Sequence, residues 1–151
     1  MPWFGFFHSG IILYKHNTMP TTSNNSKIPI RIEGIQPILA VQDMNDSRAF
    51  YIGILGFQEE PWGGDDFTCV KRDKASIYLC RGAQGKPGMW LWVGFDGDIF
   101  SWHSELVEKG VTIRQPPQNY SWALEMHIED PDGHILRLGT GPDPGQPFRD
   151  Q

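Results

Sequence analysis

One succession of elements is written into this chain twice, and that repeat limits its fold more than any other feature. Residues 35–41 are apolar and bounded by Asp43 and Asn45, which predicts a strand. Asp46 and Ser47 supply helix-capping side chains. Phe50, Tyr51, Ile54 and Leu55 follow at helical spacing over 48–55, with Gly56 where a C-terminal glycine belongs. Residues 57–61 read as short and extended, 62–66 as a loop, and 67–72 and 76–81 as two strands around the polar turn at Asp73 and Lys74. After a Gly/Pro-rich connection the order returns. A strand over 89–95 leads to a helix capped by Gly97 and Asp98, which carries Phe100, Trp102, Leu106 and Val107 and ends before Gly110. Residues 111–114 are extended, 115–121 form a Pro-containing loop, and two strands flank Asp130, Pro131, Asp132 and Gly133. Each half therefore predicts strand–helix–strand–strand–strand. Identity between the halves is slight, so the repeat is one of element order.

The connection between the halves is short, so they should form one domain over 33–151, with modules at about 34–82 and 89–140. Residues 1–32 differ: an aromatic stretch (Trp3, Phe4, Phe6, Phe7, then 11–14) precedes a Ser/Thr/Asn-rich run, and together they read as a flexible or extended tail. Met19 is a candidate internal start; alternatively the tail aromatics dock on a partner subunit. The tail carries Lys15, Lys27 and Arg31 and no acid. The chain's 13 Lys and Arg and 18 Asp and Glu give a charge of −5, so the domain proper stands near −8. That argues against nucleic acid as a partner, because phosphate binding needs a surplus of cations. Two cysteines, Cys69 and Cys80, are too few for a disulfide framework and lack zinc spacing, so they read as reduced thiols in strands. No apolar stretch approaches the roughly 20 residues that span a bilayer, and the N-terminus lacks a signal-peptide pattern. A cytoplasmic protein with no membrane partner is expected.

The last hairpin alternates with a period of two. Leu124, Met126 and Ile128 share one face with Leu136 and Leu138, while Glu125, His127 and Arg137 share the other. That second face is either solvated and laced with cross-strand charge pairs or the polar wall of a cleft. On the strand over 89–95, Trp90 and Trp92 alternate with Leu91 and Val93, and either pair can face the helices.

Three stretches carry a resemblance to a known family. They are ILAVQDMNDSRAFYIGILGF (38–57), FTCVKRDKASIYLCRG (67–82) and WALEMHIEDPDGHILRLG (122–139), joined by KGV at 109–111. In this order and spacing they resemble the vicinal oxygen chelate superfamily of glyoxalases, dioxygenases and bleomycin-resistance proteins. The resemblance covers about residues 35–140 and is nearest to the bleomycin-resistance branch. That branch shares Pro37 in the first strand, the strand with Phe67, Val70 and Arg72, and the segment from Trp122 to Glu125.

The resemblance implies an α+β fold in which two βαβββ modules form curved mixed sheets around a cleft. In metal-dependent members the cleft holds a divalent ion on four side chains. The corresponding positions here fall on Gln36, at or beside Tyr78, on Met89 or Leu91, and on Arg137. Only Gln36 is a plausible ligand, and Arg137 puts a permanent cation where the ion would lie. No metal, no cofactor and no catalytic set are therefore expected, although a Glu125/His127 acid–base pair is conceivable. The expected activity is binding: sequestration of an aromatic or cationic small molecule by a homodimer, in clefts formed with the partner subunit. Candidate ligand-binding residues are Gln36, Trp62, Phe67, Tyr78, Trp90, Trp92, Trp122, Glu125 and Arg137, with Tyr120 beside Trp122. Aromatic faces stack on rings and attract cations, and Asp65, Asp66 and Glu125 add negative potential. The alternatives are a divalent-metal lyase or dioxygenase using Gln36 with other ligands, and a metabolite carrier or sensor.

Overall fold

The computed structural model describes residues 34–150. The aromatic stretch, the Ser/Thr/Asn-rich run and Met19 lie outside the described residues. The element order is the expected one, twice over. The first module runs β1 (Ile38–Val41), a helix α1 (Met44–Arg48, continued through Ala49–Ile54), β2 (Gln58–Glu59), β3 (Phe67–Arg72) and β4 (Ala75–Arg81). The second runs β5 (Trp90–Gly94), α2 (Ile99–Glu108), β6 (Thr112–Asn119), β7 (Leu124–Glu129) and β8 (Ile135–Thr140). Each module forms a four-stranded mixed sheet, in the orders β1-β4-β3-β2 and β5-β8-β7-β6. The first strand of each lies parallel to its last, and the remaining neighbours are antiparallel. The fold class is α+β, as the resemblance implies.

Two boundaries differ from the expectation for physical reasons. Helix α1 starts earlier, as α-helix over Met44–Arg48 that continues as π-helical turns over Ala49–Ile54. Its cap is Asp43, whose carboxylate accepts from the Asn45 and Asp46 backbone N–H groups. Ser47 lies inside the first turn and donates to the Asp43 carbonyl. The second difference is β6, a single strand that includes the prolines expected to make 115–121 a loop. Pro116 and Pro117 fit because β6 is an edge strand whose register with β7 shifts on either side of Gln115.

The core gathers the helix-facing side of both sheets. Leu39, Val70 and Leu79 from the first sheet join Met126, Ile128, Leu136 and Leu138 from the second, with Tyr51, Ile99 and Leu106 from the helices. Leu91 and Val93 pack against this core, so Trp90 and Trp92 take the opposite face of β5. Phe50 is buried, and Trp102 packs edge-on against Phe95.

The turn between β7 and β8 ties the modules together. Asp132 accepts from Gln42 N at 2.8 Å and from Ser47 Oγ at 3.0 Å. Tyr51 donates its hydroxyl to Asp130 Oδ2 at 2.8 Å. His134, fully buried, donates from Nε2 to the Ala40 carbonyl and accepts from Met89 N at Nδ1. A carbonyl can only accept and an amide N–H can only donate, so this pair of bonds fixes the neutral Nε2–H tautomer. The connection between modules passes against β1 at Gly85, where φ is +81° and a Cβ would stand 2.7 Å from Ala40 N. Only glycine allows that approach.

Candidate functional site

The helix-free face of each sheet carries a distinct set of side chains. On the first sheet, Phe67, Cys69, Tyr78 and Cys80 share this face by register. Phe67 and Tyr78 stack with centroids 5.3 Å apart and 25° between planes. Trp62 lies over Phe67 at 6.1 Å and 24°. Three rings thus form one cluster. Its loop is pinned from α1: Arg48 donates to Glu59, to Asp65 and to the Gly64 carbonyl. Arg81 pairs with Asp66 at 2.6 Å. Cys69 and Cys80 are buried and form no disulfide; burial pushes the Cys69 thiol up.

On the second sheet, Gln115, His127, Arg137 and Trp92 lie in one row across β6, β7, β8 and β5. Glu125 sits on the same face, one pair along β7. Arg137 Nη2 donates to both Glu125 oxygens, at 2.7 and 2.8 Å. His127 Nε2 bonds Glu125 Oε1 at 3.0 Å, and since the carboxylate only accepts, Nε2 carries the proton. The rings of Trp90 and His127 meet edge to face at 5.7 Å. The Arg137 guanidinium lies 5.4 Å from the Trp92 centroid, a cation–π contact. The Trp92 ring also rests on Gly139, where any Cβ would stand 2.2 Å from it.

Glu125 is 2 % exposed. Burial pushes its carboxyl up, but hydrogen bonds from His127 and Arg137 and their charges outweigh it, so the carboxyl titrates below its ordinary value. A lowered folded pKa means stability that is present above the unfolded carboxylate range and lost as pH falls through the folded value. Glu125→Gln is therefore expected to flatten the acid limb of the stability profile. Urea unfolding at intervals between about pH 7 and about pH 3 measures it.

The nine candidate residues separate into groups. Trp62, Phe67 and Tyr78 meet on the first sheet. Trp90, Trp92, Glu125 and Arg137 meet on the second. Trp122 stacks on Tyr120 at 4.7 Å and 8°, and lines an open groove of 1460 Å³ with Trp92 and Phe95. Gln36 is exposed, ahead of β1. His127 and Gln115 belong to the second group too. His127 was legible from the period of β7; Gln115 was hidden by the prolines that follow it.

The donors at the positions implied for a divalent ion do not fit one. Tyr78 is packed into the aromatic cluster, and Leu91 faces the core. Arg137 fills the last position with a guanidinium already forked onto Glu125. Among the described residues no three of His, Cys, Asp and Glu gather at metal-binding spacing.

Two βαβββ modules, each presenting one aromatic sheet face away from a shared core, define the class of this protein. Residues 32–138 match the model of the Glyoxalase/Bleomycin resistance protein/Dioxygenase superfamily, and the chain belongs to that superfamily. No curated protein sequence matches it. Among solved structures it is similar to virulence protein STM3117 from Salmonella typhimurium (TM-score 0.64, 21% identity, 74% of this chain and 99% of that one). It is similar also to TnmS3, an antibiotic binding protein from Streptomyces sp. CB03234 (TM-score 0.61, 22% identity, 75% and 99%). A third is lactoylglutathione lyase from Agrobacterium tumefaciens (TM-score 0.62, 15% identity, 74% and 96%). At these identities the likeness is one of fold. No helix among the described residues is long and apolar enough to cross a membrane.

Proposed function

We propose that this protein is a metal-free, homodimeric binding protein that captures a small aromatic or cationic molecule without converting it. Its two modules act as one domain over 33–151, and the sheet faces of the two subunits form the walls of the clefts. One observation carries this reading. Trp62, Trp90, Trp92 and Trp122 are 56, 61, 53 and 58 % exposed, although indoles are ordinarily well buried. Trp90 and Trp92 stand on an open sheet face, and Trp62 belongs to a stacked cluster on the other. Such rings offer planar surface to a planar ligand. The antibiotic-binding protein among the fold neighbours supports the same reading. A metal-dependent lyase lacks its donor set here, because Arg137 and Tyr78 stand where ligands are needed.

Titration of the tryptophan fluorescence with a panel of planar aromatic compounds tests this. At least one compound is expected to quench saturably. Trp62→Leu and Trp92→Leu are each expected to weaken that binding by about tenfold, the loss of one aromatic contact. A flat response to every compound contradicts the proposal.

A further inference from the structure

We propose that the ligand of the second sheet's face carries an acceptor group, a carboxylate or similar oxygen anion on an aromatic ring, held by Arg137 and Gln115. This rests on the aromatic-binding reading and narrows it. A carboxylate that could pair with a cationic ligand would have to be free, and the acids near these faces are engaged. Asp65 pairs with Arg48, Asp66 with Arg81 and Glu129 with Arg114. Glu125 accepts at both oxygens, from Arg137 and His127.

What the face has in surplus is donors. Arg137 Nε and Gln115 Nε2 are buried and have no acceptor among the described residues. Among the described residues the Arg137 guanidinium donates through Nη2 alone. Gln115 and Arg137 stand on either side of His127 in one row of the sheet, so both donor-bearing residues belong to one stretch of this face. A buried donor left without a partner is costly, and an arriving oxygen that accepts from it recovers that cost. Planar fork donors favour a carboxylate. The aromatic part has its place too. Trp92 adjoins the guanidinium, and Trp90 meets the His127 ring. Both donor atoms are buried, and the Trp92 ring rests beside the Arg137 guanidinium. That ring is half exposed and lies on Gly139, so it stays available to stack on a ligand ring. The domain's excess negative charge acts at long range and is screened beyond about 8 Å at physiological salt, whereas these donors act in contact.

Three probes with one ring system test the inference: 2-naphthoate, 2-naphthylmethylammonium and uncharged 2-methylnaphthalene, each titrated by tryptophan fluorescence. 2-Naphthoate is expected to bind at least about tenfold more tightly than the ammonium. Gln115→Leu is expected to lower naphthoate affinity about tenfold and to leave 2-methylnaphthalene unchanged. Gln115→Glu, which keeps the side-chain volume, is expected to lose naphthoate selectively. Equal or tighter binding of the ammonium overturns the inference while leaving aromatic binding intact. Equal weakening of all three probes by Gln115→Leu overturns the assignment of Gln115 as a donor to the ligand. Failure of all three to bind the wild type contradicts aromatic binding on this face, and this inference with it.

Discussion

Asp130→Ala is expected to destabilise the protein by about 3–5 kcal/mol, the largest effect of any single substitution considered. Asp130 is buried at the turn between β7 and β8. Its Oδ2 accepts from Tyr51, and its Oδ1 accepts from the backbone N–H groups of Asp132 and His134. Alanine orphans three donors at once, at the place where the second module grips α1. Burial pushes the Asp130 carboxyl up, against the lowering effect of its hydrogen bonds to Tyr51 and His134. Burial, reinforced by the Asp130 charge and hydrogen bond, also pushes the Tyr51 hydroxyl well up, so it stays a neutral donor. A raised carboxyl pKa means that the folded state takes up a proton more readily than the unfolded one. The contribution of Asp130 therefore increases as pH falls through its folded value, opposite in sign to that of Glu125. Asp130→Asn keeps one accepting oxygen and is expected to cost less than alanine in urea unfolding at neutral pH.

Arg137→Met is expected to cost about 2–4 kcal/mol, somewhat below a fully buried pair because the Arg137 side chain is 35 % exposed. The loss comes from Glu125, which keeps only His127 as a partner while still buried. Its carboxyl pKa is expected to rise, and the unfolding free energy to become less dependent on pH in the acid range. Adding Glu125→Gln to Arg137→Met removes the stranded charge and is expected to restore part of the stability. Urea unfolding of the two single variants and the double variant measures the coupling. Additive losses would mean that the two side chains do not act as a pair.

The element order was legible because local patterns enforce it. Leu124, Met126 and Ile128 alternate with polar residues, and their side of the sheet is the core side. Glycine follows each helix where the spacing predicted it. Pro116 and Pro117 misled because a proline's effect depends on which edge of the sheet it occupies, and sheet order is not a local property. The Trp90/Leu91 choice was open for a similar reason: alternation gives two faces, and only packing against the core decides which is inner. Asp65, Asp66 and Glu125 looked like free negative charge. Their arginine partners lie 17, 15 and 12 residues away, and no short-range pattern joins them. Asp132 reaching Gln42 across 90 residues was equally hidden.

Capture without conversion is tested most directly by equilibrium dialysis of the purified protein against a mixture of planar aromatic compounds, followed by mass spectrometry of what is retained. The expected result is one compound held in stoichiometric amount by wild-type protein, recovered chemically unchanged, and lost from a Trp92→Leu variant. Retention of none, or recovery of the retained compound in altered form, would contradict a binding protein of this kind.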